Sequence, residues 1–287
     1  MRIWVTYFFI LNCIGLQGQV NTDTLQKYSQ LMHHAAVLEE RLSAGAKFET
    51  LLDDLLEMQD GFTFQSTSVK LLSVLDSPDK VFRVFTWNIP LDSGRYEFKG
   101  RILMRSPYRI MKLKDVSQNI QKPESKTLKN GEWFGATYYQ ISGPIERKGK
   151  TYTLLGWNGH NAYSNKKLIE TLQINEKGEF LMGVPALFDG KRYQCRRIFE
   201  YAENVNMSLK FQEKGRRIIF DHLAPPQPAM EGVYAFYGPD FTYDAYRLKK
   251  GKWVFEKDVD ARNEGDNKGH LPKAPERGLS APAKKKQ

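Results

Sequence analysis

Six side chains able to move protons or hold cations crowd the C-terminal part of this 287-residue chain: Asp221, His222, Asp240, Asp244, Asp258 and Asp260. They fall in "FDHLAPP" (220–226), "YGPDFTYDAY" (237–246) and "DVDARN" (258–263). An imidazole among carboxylates is a minimal set for general acid/base work. Two carboxylates facing each other across a cleft would suit hydrolysis of glycosidic bonds. Asp221 and His222 are consecutive, so on a strand they point to opposite faces and only one can enter a shared pocket. Asp240 and Asp244 are four apart, a spacing that converges in a helical turn but not along a strand. Asp258 and Asp260 share one face of an extended segment, an arrangement open to calcium with backbone carbonyls, though without the glycine and distal Glu of an EF-hand loop. The same residues also have a structural use. Asp240, after Gly238-Pro239, can bond its own backbone in a turn, while Asp221, Asp258 and Asp260 can tie loops and pair with Arg262.

A second candidate is "GWNGHNAY" (156–163). Trp157, Asn158, His160, Asn161 and Tyr163 form a polar and aromatic loop suited to stacking on sugars. The plainer alternative is a Gly-Asn turn anchored by a buried Trp157. Adjacent His33 and His34 lie 100° apart on a helix, whereas helical metal ligands are usually three or four residues apart. GxSxG, HExxH, Walker, GxGxxG and CxxC patterns are all absent, which removes the commonest hydrolase, protease and nucleotide motifs. Cys195, in "YQCRRIF", reads as a core strand position rather than a nucleophile.

These residues need elements to position them. Residues 22–58 carry apolar residues at helical spacing, with Leu25, Tyr28, Leu31, Met32, Ala35, Leu38 and Leu42 in the first part. "SAG" (43–45) is expected to break the pattern, after which Phe48, Leu51, Leu52, Leu55 and Leu56 continue a second short helix ending at Asp60-Gly61. "DDLLEMQD" reads as a solvated acidic edge. From residue 66 the period falls to two. In "RYEFKGRILM" (95–104), Tyr96, Phe98, Ile102 and Met104 share one face, and Arg95, Glu97, Lys99 and Arg101 the other, the alternation of half-buried antiparallel strands. "VFRVFTW" (81–87) should be central. Lys148-Gly149, Lys177-Gly178, Asp189-Gly190, Lys214-Gly215 and Lys250-Gly251 supply hairpin turns.

Strands are expected near 71–75, 81–87, 95–104, 108–113, 136–145, 151–157, 167–174, 179–183, 193–201, 206–212, 216–222, 243–248 and 252–257. The expected fold class is mainly β: an antiparallel meander of hairpins in multi-stranded sheets, propeller-like or stacked, behind two short N-terminal helices. Without helical crossovers a parallel α/β sheet is disfavoured. "YGPD" reads as a turn feeding the final hairpin.

The termini set the address. "MRIWVTYFFILNCIGLQGQ" has a short apolar run behind Arg2 and reads as a secretory signal over residues 1–18. That run is too short for a membrane span, and no other stretch could cross. Bulky Asn12 argues against lipidation at Cys13. The expected divisions are a helical segment 19–62, an antiparallel β domain 63–262 and a disordered basic tail 263–287. Removing Arg2 and the tail, which holds six Lys/Arg and three Asp/Glu, leaves +6 of the formal +10 on the body. The charge is scattered rather than gathered in a stripe, which argues against nucleic acid. With the signal cut, Cys195 is the one remaining cysteine, so the fold rests on its core and the periplasm is a natural compartment.

The blocks "SPDKVFRVFTWN" (77–88), "YTLLGWNG" (152–159), "RIFEYAENVNMSLKF" (197–211), "IIFDHLAP" (218–225) and "YGPDFTYDAY" (237–246) together resemble a set of exported proteins of Bacteroidetes-type bacteria, over most of residues 66–263. The resemblance implies an address, periplasmic or extracellular, and carries no catalytic residues. "SPDK" is also similar to the "SPDG" turn of periplasmic propeller repeats, with Lys80 in place of the glycine. The sequence therefore points first to a non-enzymatic protein that binds a ligand, a glycan or an envelope component, with no cofactor expected. The alternatives are a carboxylate-dependent hydrolase of glycans or phosphoesters, and a calcium-stabilised binding module.

Overall fold

The computed structural model describes residues 22–58, 60–65, 67, 69–146, 149–175 and 178–261. The expected signal segment with Cys13, Lys148, Lys177, Arg262 and the basic tail lie outside the described residues.

Two helices open the fold, α1 (Thr22–His34) and α2 (Leu38–Glu57). The break falls at 35–37, not at "SAG". Gly45 sits inside α2, where an added Cβ would run into the Ile89 side chain. The glycine therefore permits close approach of helix to sheet and does not end the helix. The first sheet has the order β1 (Ser73–Asp76), β2 (Phe82–Pro90), β3 (Tyr96–Met104), β4 (Arg109–Asp115) and β5 (Glu132–Trp133). The middle sheet comprises β6 (Thr137–Glu146), β7 (Lys150–Asn158) and β8 (Ser164–Ile174); β9 (Phe180–Met182) also pairs with β8. β10 (Leu187–Phe188) and β11 (Tyr193–Gln194) join the last sheet, and β12 (Arg196–Ala202) returns to the middle one. β9 and β12 share one edge of β8 end to end, at residues 172–174 and 164–170. β13 (Leu209–Gln212), β14 (Arg217–Ala224), β15 (Gly238–Lys249) and β16 (Lys252–Glu256) complete the last sheet in the order β11-β10-β16-β15-β14-β13.

The fold is mainly β and antiparallel, as the period-two pattern requires. Two short parallel pairings, β4 with β5 and β10 with β16, fall outside the simple meander. The sheets hold five, six and five strands and do not repeat a common blade. Lys250 and Gly251 both take positive φ in the β15–β16 turn, matching the mirror-image hairpin geometry expected of that pair.

Three apolar cores separate four layers. Phe48, Leu52 and Leu56 of α2 pack on Phe85, Trp87 and Leu103 of the first sheet. Phe82, Val84 and Ile102, on the reverse face, meet Tyr152, Leu154 and Leu168 of the middle sheet. Leu155, Ile169 and Phe199, on the far face of the middle sheet, meet Ile218, Tyr246 and Trp253 of the last. Both faces of the first sheet are thus covered, which corrects the solvent-facing reading of Arg101. Arg101 is buried under α2, where it bonds Asp53 and Glu49. Asp53 in turn also takes Lys112, so that part of the acidic edge is paired rather than solvated.

Candidate functional site

A cleft of about 1110 Å³ opens between the last sheet and the β12 edge of the middle sheet. Its walls also take in the 117–125 segment, the β10–β11 turn and the stretch around Tyr234 and Tyr237. His222, Asp244, Asn158 and His160, all singled out in the sequence, line this one cavity.

On the last sheet, antiparallel pairing sets Phe220 opposite Asp244 and Ile218 opposite Tyr246, so these side chains share a face. His222 continues that row. The pairing shifts here: Asp221 faces Tyr243 and Leu223 faces Pro239, so Asp240, Phe241 and Thr242 together oppose His222. This bulge corrects the reading of "YGPD" as a free turn, since Gly238 and Pro239 already belong to β15. Phe241, at its apex, has positive φ and is 92% exposed.

Asp244 is buried, and both its oxygens are used. Oδ2 lies 2.8 Å from His222 Nδ1, and Oδ1 accepts the Asp258 amide at 3.1 Å. A buried carboxylate needs such partners to offset its lost hydration. With Nδ1–H donating to the carboxylate, the second ring nitrogen of His222 keeps its lone pair for the cleft. Two residues along the same face, Tyr246 is almost fully buried, and its hydroxyl makes no hydrogen bond among the described residues. Burial pushes that hydroxyl up to about 12. Asp240 stands within electrostatic reach of His222. Partial burial works against its ionised form, but hydrogen bonds from the Thr242 hydroxyl and amide outweigh this and hold the carboxyl below its ordinary value.

A second row of cleft residues crosses three strands at the β12 edge, on the face of the middle sheet that carries Leu154 and Leu168. Asn158 pairs with Lys166, and Lys166 with Glu200, which places all three on one face. Glu200 accepts the Ser164 hydroxyl at 2.7 Å and lies 3.3 Å from the Lys166 ammonium. His160 Nε2 is 3.8 Å from the same carboxylate. Burial lowers His160, helped by the Lys166 charge and opposed by Glu200. Burial also lowers Lys166 against the pull of Glu200.

Every carboxylate bordering the cleft is engaged. Glu124 takes the Ile198 amide, Asp189 takes the amides of Lys191 and Arg192, and Asp221 takes the Ser208 amide. The cations are less committed. Among the described residues neither Lys122 nor Lys191 has a carboxylate within ion-pair distance. Arg197 reaches Glu124 only at 3.4 Å.

The other sequence candidates scatter. Asp221 borders the cleft, but its carboxylate is spent on the Ser208 amide just before β13, across the sheet from the His222 face. Trp157 is a packing anchor against Tyr96, with ring centroids 5.3 Å apart, and Asn158 is buried with its amide on the Gly135 carbonyl. Tyr163 is 74% exposed and does not line the cleft. Asn161 caps its own turn through the Tyr163 and Ser164 amides. Asp258 projects to solvent beside Lys257, and Asp260 accepts Arg217 through its backbone carbonyl at a separate, smaller cavity of about 480 Å³. No group of three or more His, Cys, Asp or Glu set to hold a metal occurs among the described residues. Cys195 is free and buried between β11 and β12, where burial raises its thiol. His33 donates from Nδ1 to the Ser29 carbonyl, away from the cleft.

Sequence reasoning missed Tyr246, Lys166, Glu200, Arg197 and the two rim lysines. Tyr246 was within reach, because period two places it on the face of Asp244. The others depend on strand pairings that carry no local signal. No described helix is long and apolar enough to cross a membrane. Comparison of the chain with protein-family models, with curated proteins and with solved structures finds no match.

Proposed function

We propose that this chain is an exported binding protein whose ligand is anionic, carries a ring, and sits in the cleft between the middle and last sheets. One observation carries the reading: Tyr246 brings a hydroxyl that no described residue bonds to a cavity where Lys122 and Lys191 also lack a carboxylate partner among the described residues. That hydroxyl opens on the cleft, where a ligand or water can complete its hydrogen bonding. The volume is of the order that takes a small ligand, and the mixture of aromatic walls with a few polar groups is the usual composition of such sites. Tyr234 and Tyr237 stand at the mouth with ring centroids 4.9 Å apart, a surface on which a sugar or aryl ring can stack. An acidic glycan segment or a phosphorylated small molecule fits this chemistry, and an envelope address would supply either. For the fold, three successive meanders in layers support stacked sheets over a closed propeller.

The carboxylate-dependent hydrolase is the weaker reading, because glycoside hydrolysis needs two carboxyl groups free to act as acid and nucleophile or base, and those at this cleft are tied to amides, cations or His222. The test is calorimetric titration of the mature protein with uronic-acid oligosaccharides, sugar phosphates and neutral sugars. Binding of an anionic member, weakened several-fold in Tyr246→Phe, is expected. Binding confined to neutral sugars, or none at all, refutes the proposal.

A further inference from the structure

We infer that the cleft is also a hydrolytic site for phosphodiesters, with His222 as general base and Asp244 as its positioning residue. This inference rests on the binding reading above and adds chemistry to it. His222 is the cleft imidazole whose partner is within hydrogen-bond distance, 2.8 Å to Asp244, against 3.8 Å for His160 and Glu200. The Asp258 amide fixes the second oxygen of Asp244, so the carboxylate cannot swing away from the ring. That arrangement locks one imidazole tautomer and leaves the other nitrogen basic, the relation in which a carboxylate orients a catalytic histidine.

The substrate class follows from the cations that share the cavity with that nitrogen. The charged groups near it are Asp244 and Asp240 from β15, and Asp221 beside it on β14. The Arg197 guanidinium, from β12, and the Lys122 and Lys191 ammoniums line the same cavity and can take an anion. Cations of this kind suit a phosphodiester, whose single negative charge must be neutralised before water can attack phosphorus. In the step, a water oxygen forms a bond to phosphorus while the free nitrogen of His222 accepts the water proton. The bond from phosphorus to the departing oxygen breaks, and that oxygen leaves with its electron pair and takes a proton from solvent. The imidazolium then loses its proton to solvent. One diester and one water give one monoester and one alcohol, with no change of oxidation state.

The experiment uses the mature full chain, bis(p-nitrophenyl) phosphate as substrate and phenylphosphonate as binding probe, in chelator throughout. Expected are steady turnover, a rate that falls on the acid side as an imidazole protonates, and a loss of about a hundredfold or more in His222→Gln. In His222→Gln the melting temperature and the phenylphosphonate affinity should stay near wild type. Asp244→Asn should move the acid limb of the rate profile as well as lower the rate, which a merely structural residue would not do. Turnover unchanged in His222→Gln overturns the assignment. Phenylphosphonate binding without turnover overturns the hydrolytic inference and leaves the binding proposal standing, whereas absence of both overturns the two together.

Discussion

Arg196 offers the sharpest test of how the cleft is held in place. Its side chain is fully buried, and so is that of Glu170, with Nε and Oε2 2.8 Å apart. The guanidinium also donates to the carbonyls of Pro123, Lys126 and Met182. Two of those carbonyls belong to the segment that carries Lys122 and Glu124 to the cleft, so one side chain clamps a cleft wall to β8 and β9. Arg196→Met removes all of these donors and strands a carboxylate in the core. Removing one partner of a buried pair costs about 3–5 kcal/mol, a fall in Tm on the order of 10 °C for a chain of this size. The measurement is urea denaturation of the wild type, Arg196→Met, Glu170→Met and the double variant. Because apolar replacement of both partners is often neutral, the double variant should recover about half or more of the loss.

The pH dependence of that loss gives a second reading of the same clamp. Burial holds the Glu170 carboxyl above its ordinary value, with Arg196 pulling it down. Without Arg196 it must rise further. An acid raised in the folded state supports folding below its unfolded value and loses that support as pH climbs through the folded value. The deficit of Arg196→Met should therefore be larger at pH 8 than at pH 5. A single-variant loss below about 1 kcal/mol, or additivity in the cycle, would refute the reasoning, since contacting residues should couple by about 0.5–3 kcal/mol.

Gly45→Leu should cost about 1–3 kcal/mol by driving a side chain into Ile89 between α2 and β2, read from the same denaturation curves; an unchanged midpoint would mean the two elements are not so closely apposed. Tyr246→Phe should leave the melting temperature within a degree or two while weakening binding of the anionic ligand, since it deletes only a hydroxyl that no protein group uses. Asp258 and Asp260 point into separate surroundings, so calcium or chelator should leave the melting temperature unchanged; a rise with saturating calcium would revive a bound cation.

The period of the apolar pattern made the helices and most strands legible, because it is written in neighbouring residues. What it could not give was which face a second layer would cover. Arg101 alternates with apolar residues and reads as solvent-facing, yet α2 lies over it, and only the distant partners Asp53 and Glu49 reveal that. The interruption at Gly45 misled for a similar reason: its cause is Ile89, 44 positions away in the chain. The His222–Asp244 contact was half legible. Both residues were conspicuous, but their meeting depends on the bulge at Asp240–Thr242, which changes the register between Asp221 and Leu223. A regular ladder would have put other residues opposite His222.

The position of the cleft follows from the layering. Where a sheet has apolar cores on both faces, as the first and middle sheets have, ionisable chemistry finds room mainly at strand edges and irregularities. β12 is such an edge. Its outward amide at Ile198 is taken by the Glu124 side chain and that at Ala202 by the Tyr237 carbonyl, so loops rather than a further strand close this side. Arg197 and Glu200, on opposite faces of this strand, both line the cleft at that edge. The last sheet supplies the matching irregularity in the β14–β15 bulge, and Phe199 and Phe220, with ring centroids 4.6 Å apart, seal the floor where the two sheets meet. An edge strand on one wall and a bulge on the other are the kind of features that re-aim side chains into a site. The functional reading therefore rests on the departures from regular sheet, and the repeated β pattern that dominates the sequence serves to hold those departures in register.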